Sequence, residues 1–353
     1  MKQRDVLSAL ACRGAAGSSQ PRGAETSGPG DQDWRAARSD HFDGRRFFNP
    51  QGPTGASFRD FLRWRTSRRG GIWPERVNDN VPAVIPGRIG EREAVVTAVN
   101  HCTFLIQLPG CNLLTDPVYS ERVSPVSFAG PRRIRPPGIA WDRLPRIDAV
   151  VVSHSHYDHL DLPTLEALHR RFRPRFITGL GNRALLEQRG IGPVDELDWW
   201  QATAVGELGV QLTYTPAQHW SSRSLLVKNT SLWGGFWIAS AQRRIYFAGD
   251  SGYGRDFATI RGRLGVPDLA LLPIGAYEPR WFMHPFHLAP DEAIRARSDL
   301  GAPRCLAMHF DTFPLADEAY GAAERELAAA RAGEGLAADQ FHAPRAGETV
   351  LVG

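Results

Sequence analysis

The run VVVSHSHYDHLD at residues 150–161 constrains this chain more than any other stretch: His154, His156, Asp158, His159 and Asp161 crowd directly behind three valines. Apolar β-branched residues before such a cluster read as a buried strand. His154 and His156 are two apart, and the period of an extended backbone puts both imidazoles on the same side. Asp158 and His159 then turn with the chain into the next helix. Imidazole and carboxylate together suit zinc, iron or manganese, and the lack of a nearby cysteine argues against a purely structural zinc.

Four donors on one loop leave a metal half-held, so the rest of the chain must supply more. Three candidates share the same local setting. His219 in TYTPAQHW follows an expected strand at 209–215, and His309 in CLAMHF follows one at 305–308. Asp250 in YFAGDSGY follows 244–248, where Gly249 and Gly252 permit a tight turn. Strand ends give site residues a rigid frame. Jointly the seven residues complete two coordination spheres of nitrogen and oxygen.

Further strands are expected at 94–99, 103–108, 112–115, 147–153, 175–178, 235–240 and 269–274. Helices are expected over 162–172, from Asn182 to Gly190, over 290–299 and over 316–332. There is no βαβ rhythm and no glycine-rich nucleotide fingerprint, which favours sheets covered by helices over a dinucleotide-binding fold. Residues 1–44 read as a disordered leader, with 45–353 as one domain whose N-terminal extension covers 45–93. In that extension SFRDFLRWRTSRR is expected to form an amphipathic helix with Phe58, Phe61 and Leu62 on one face and arginines on the other, either laid on the main domain with its arginines solvated or in contact with anionic head groups.

Composition narrows the function classes. A net charge of +4 gives little pull toward an acidic polymer, and no nucleic-acid partner is expected. Cys12, Cys102, Cys111 and Cys305 show no CxxC pairing, so reduced thiols and a cytoplasmic setting are the default. No apolar run is long enough to span a membrane. The start MKQRDVLSALAC ends in a cysteine as lipoprotein signals do, but its apolar stretch is too short for export.

The longer words around these residues, LLTDPVYSERVSP, DAVVVSHSHYDHLD, ELDWW, TPAQHW, FAGDSGY, PIGAYEPRWFM and MHFDTF, make the chain resemble the metallo-β-lactamase-fold hydrolases. Among these it is similar to the N-acylphosphatidylethanolamine-hydrolysing phospholipases D. The resemblance covers roughly residues 45–350. It implies an α+β, four-layer αββα sandwich with two metals, zinc first and iron or manganese as alternatives, at one edge of both sheets. Carried over by position, His154, His156 and His219 hold one ion; Asp158, His159 and His309 hold the other; Asp250 bridges them. His287, on the loop before a late helix, matches a family histidine near the reacting phosphate, the alternative being a capping or packing role just before that helix. His101 matches one in a GHAT-like word, although here asparagine precedes it and cysteine follows, and its expected role is to orient a ligand.

The implied reaction is hydrolysis of a phospholipid phosphodiester to phosphatidate and an N-acylethanolamine. Two divalent ions ~3.5–4 Å apart lower the pKa of a shared water to about 7 and so supply hydroxide. Asp158 and Asp250 would orient it, and His287 would meet the departing oxygen. Trp281, Phe282, Met283 and Phe286 would form an apolar rim for acyl chains, with Arg280 or Arg223 meeting the phosphate. Trp199 and Trp200 read as packing. His41, in a mobile segment, His169, on a polar helix face, and His342, in the tail, are expected to do no chemistry. A sugar-phosphate lactonase would share every metal ligand, while a nuclease or a non-enzymatic binding protein fits less well. Peripheral membrane contact through residues 45–70 and a homodimer complete the expectations.

Overall fold

A computed structural model of the chain describes residues 34, 38–53, 55, 57–224 and 227–353. The lipoprotein-like start and Cys12 lie outside them. Two mixed seven-stranded sheets face each other. The first contains β1 (Ala94–Asn100), β2 (Thr103–Leu108), β3 (Cys111–Thr115), β4 (Ala149–Val152), β5 (Arg175–Gly179), β6 (Val194–Leu197) and β14 (Thr349–Val352), in the order β14-β1-β2-β3-β4-β5-β6. The second contains β7 (Ala202–Val205), β8 (Val210–Thr215), β9 (Gly235–Ala239), β10 (Arg244–Phe247), β11 (Leu269–Pro273), β12 (Cys305–Met308) and β13 (Phe341–His342), ordered β13-β12-β11-β10-β9-β8-β7.

The layering follows from side-chain alternation. In β4, Ala149 and Val151 point into the core between the sheets, while Val150 and Val152 point out, under α2 (Leu162–Phe172) and α3 (Arg183–Glu187). Leu165 and Leu168 of α2 close that outer face, each contributing about 1.5–3 kcal/mol by burial. Asp161, the N-cap of α2, instead uses its carboxylate to accept from Tyr119 N, Ser120 N and Thr164 Oγ1, which pins the 119–120 loop to the helix start. On the far side, α4 (Asp256–Leu264), α6 (Pro290–Leu300) and α7 (Ala322–Gly333) cover the second sheet with Phe257, Ile260, Ile294 and Leu327. The result is the expected αββα sandwich.

Several boundaries differ from expectation. The expected leader ran to residue 44, yet His41 and Phe42 are buried. His41 is not mobile: its ring is held between Asp40 (2.6 Å) and Asp198 (2.7 Å) and stacks on Trp199. Burial alone would lower the pKa of His41, but hydrogen bonds and charge from Asp198 and then Asp40 outweigh it and raise the value. His342 lies in edge strand β13 and pairs with Glu348 at 2.6 Å. The helix α1 (Phe58–Ser67) forms, capped by Ser57, whose side chain accepts from Asp60 N. Its buried face carries Trp64 and half-buried Phe61, packed on Met283 and Phe282 of α5 (Arg280–Met283), whereas Leu62 is 45% exposed. Helix α7 starts at 322 rather than 316, because Gly321 takes φ 70° and ends the preceding loop.

Candidate metal centre

All seven predicted donors meet at one edge of the two sheets. The loop after β4 delivers His154, His156, Asp158 and His159; His219 follows β8, Asp250 follows β10 and His309 follows β12. His154, His156 and His219 form one group whose ligand atoms lie within 4.8 Å of one another, and Asp158, His159, Asp250 and His309 form another. His156 Nδ1 approaches His154 Nε2 to 2.8 Å and His219 Nε2 to 3.2 Å. Asp250 Oδ2 stands between the groups, 3.1 Å from His309 Nε2, 3.2 Å from His159 Nε2 and 3.7 Å from His219 Nε2. Gly249 makes that position reachable: its φ is 61°, and a Cβ there would sit 2.7 Å from both Gly234 O and Ser153 Cβ.

The electrostatics divide in the same way. Burial and the neighbouring imidazoles hold His154 and His219 well below the usual histidine range, and burial takes His156 to about 4. On the other side, burial opposes ionisation of Asp158 and Asp250, yet the facing histidines, His159 first, keep both well below the carboxylate range. Against its own burial, His309 is raised to about 9 by Asp250 and Asp158. The carboxylates therefore call for positive charge at the centre. A divalent ion fits that demand, because His159 Nε2, His309 Nε2 and Asp250 Oδ1 are buried without a hydrogen-bond partner, a costly arrangement in any packed interior.

Outer contacts aim the rings. His159 Nδ1 meets Asp116 Oδ2 at 2.6 Å, His154 Nδ1 meets Ser153 Oγ at 2.9 Å, and His219 Nδ1 donates to Phe286 O at 2.9 Å. Each bond leaves Nε2 facing the cluster, the usual way a ligand tautomer is set. His101 lies beside Asp158, with Nε2 3.2 Å from Asp158 Oδ2. Asp116 was not singled out as a site residue. Its only sequence signal is its place in LLTDP at the end of β3; there it also accepts from Ser153 N and Oγ. Asp116→Asn should weaken metal binding about 10- to 100-fold while leaving the fold intact. Chelator competition checks the first expectation and circular dichroism the second.

The expected phosphate and acyl contacts need correction. Arg280 is bound to Glu292 (2.5 Å) and approaches His287 O and Tyr277 O, so it braces the loop carrying His287. Arg223 donates to Ser155 O and Leu160 O, tying both ends of the HxHxDH loop, and lies over the Tyr157 ring. The Arg280 guanidinium is thus held by Glu292 and backbone carbonyls, and that of Arg223 by backbone carbonyls. Of the expected rim, only Trp281 is exposed, at 46%. Met283 and Phe286 are buried, and Phe282 stacks on Trp64 with centroids 5.3 Å apart. His287 does reach the site: its Nδ1 is 3.8 Å from Asp250 Oδ2, and burial takes its pKa to about 4. As expected, Trp199 and Trp200 pack against the core.

Residues 111–310 match the model of the Beta-lactamase superfamily domain. An uncharacterized protein of Mycobacterium tuberculosis is 43% identical over 242 residues, 67% of this chain and 63% of its own length. N-acyl-phosphatidylethanolamine-hydrolyzing phospholipase D 1 of Caenorhabditis elegans is 39% identical over 234 residues, 64% of this chain and 65% of that one. The mitochondrial N-acyl-phosphatidylethanolamine-hydrolyzing phospholipase D of Saccharomyces cerevisiae is 37% identical over 245 residues, 68% and 52% respectively. The chain thus spans between about half and two thirds of the length of these relatives. Among solved structures, a possible metal-dependent hydrolase from Veillonella parvula aligns with a TM-score of 0.60 at 17% identity, over 72% of this chain and 98% of its own. An isothiocyanate hydrolase from Delia radicum gut bacteria gives 0.59 at 20%, over 72% and 98%. These two likenesses concern the fold alone; by the matched family model the chain belongs to the beta-lactamase superfamily, and its sandwich is the metallo-β-lactamase fold.

Proposed function

We propose that this chain is a metal-dependent phosphodiesterase of the phospholipase D type, cleaving an N-acylphosphatidylethanolamine-like phospholipid to phosphatidate and an N-acylethanolamine. The observation that carries the hydrolytic reading is the convergence of imidazoles from both sheets on Asp250 Oδ2. The choice of phospholipid is supported by the relatives from worm and yeast that bear that activity in their names. His154, His156 and His219 would hold one divalent ion, and Asp158, His159 and His309 the second, with Asp250 between them; zinc is the proposed metal. Divalent ions bound there lower the pKa of water and neutralise phosphoryl oxygens.

The chain's own groups do the rest. Ionised Asp158 and Asp250 accept hydrogen bonds from the attacking water and fix its line of approach. His287, neutral at physiological pH, donates a ring N–H to the departing oxygen, and the Glu292–Arg280 pair keeps its loop in place. Exposed Trp281 has the Arg63 guanidinium 4.4 Å from its ring centroid, and the preceding residue of α1, Leu62, is exposed as well. Apolar and cationic groups so combined suit an anionic lipid surface, and we assign peripheral membrane contact to helix α1. Among the described residues no helix is long and apolar enough to cross a membrane.

A panel of N-acylphosphatidylethanolamine in vesicles, a bis-aryl phosphodiester and a sugar-phosphate lactone tests the reading. Release of phosphatidate and N-acylethanolamine, abolished by a chelator, is the expected result. Turnover of the lactone with both phosphodiesters untouched would overturn it.

A further inference from the structure

Cys102 sits in the turn between β1 and β2, fully buried, and the reaction above makes no use of it. His101, Cys102, His159 and His309 each bring one nitrogen or sulfur atom within 4.8 Å of all the others. Two of these, His159 and His309, belong to the second of the proposed metal positions. His101 Nδ1, His159 Nε2 and both ring nitrogens of His309 are buried without hydrogen-bond partners, so the pocket around the thiol is rich in unsatisfied donor atoms. The turn is also held from both sides. Cys102 O accepts from Thr115 Oγ1 at 2.7 Å, and His309 N donates to His101 O at 3.1 Å. The other described cysteines, Cys111 and Cys305, lie in strands and belong to no such group.

We propose that Cys102 is a thiolate ligand available to the metal held by His159 and His309, giving that position a mixed nitrogen, oxygen and sulfur donor set. The inference rests on the reading that these two histidines hold a metal. With Zn–S near 2.3 Å and Zn–N near 2.0–2.1 Å, donors around one tetrahedral ion stand about 3.5 Å apart. The 4.8 Å limit on the group of His101, Cys102, His159 and His309 is therefore about 1 Å wider than such a set needs. On coordination the Sγ–H bond breaks, its proton leaves to solvent, and a sulfur–metal bond forms without change of oxidation state. Thiolate is a soft ligand, so this position favours zinc, cobalt or cadmium over magnesium or calcium.

The test uses the full chain, freed of metal and reloaded with Co²⁺ alone. A near-ultraviolet thiolate-to-cobalt charge-transfer band is expected in the unchanged protein. It should be lost in Cys102→Ala and in Cys102→Ser, while two cobalt ions per chain and the visible cobalt bands remain. Two bound cobalt ions without the band, or a band that survives either substitution, would overturn the inference and leave the proposed function standing. Failure to bind cobalt at all would overturn both.

Discussion

Asp250→Asn should lose most of its bound metal and its activity together. The carboxylate is buried between two groups of histidines, within 3.7 Å of His159, His219 and His309. Asparagine keeps the shape but removes the charge that both groups face. Deleting one partner of a buried charged set costs about 3–5 kcal/mol, which at about 1.4 kcal/mol per tenfold corresponds to a loss of roughly 140- to 3,700-fold in affinity. Elemental analysis and turnover measured on the same preparation check it. Full turnover with two ions per chain in this variant would remove Asp250 from the centre.

The second large effect is on stability. The native chain gathers seven donors that the unfolded chain scatters over residues 154–309, so an ion that binds only the native form stabilises it. At a free metal concentration 1,000 times Kd this amounts to about 4 kcal/mol. For a domain of this size that moves the thermal midpoint by on the order of 10 °C. A chelator should lower the midpoint by that amount, and added zinc should restore it. In Asp250→Asn the chelator should have almost no effect, because little metal is left to remove.

Much of this was legible in the sequence because buried strands and metal donors are locally distinctive. The central strands are apolar in nearly every residue, and each donor stands just past one of them. Strands β6 and β7 escaped because they are edges: VDEL and ATAV show mixed burial and no apolar run. The two-residue β13 and the C-terminal β14 are edges as well. Helix α4 was missed because only Phe257 and Ile260 in it are buried, too few to set a period. Contacts between distant side chains were the hardest to see. Nothing in the sequence says that Arg280 would turn to Glu292 rather than to a substrate, or that Arg223 would brace the HxHxDH loop, since an arginine near a site looks the same in both roles. His41 was misjudged for a related reason. Its carboxylate partner Asp198 is distant in the chain, so the polar segment around it gave no sign of being anchored.

We propose that the two groups of donors meeting at Asp250 form a binuclear metal centre. Elemental analysis of the wild-type chain, purified without chelator, tests it most directly. About two divalent ions per chain, lost together on chelation and regained together on reloading, are predicted. A folded chain that takes up no divalent ion when zinc, iron or manganese is supplied would contradict it.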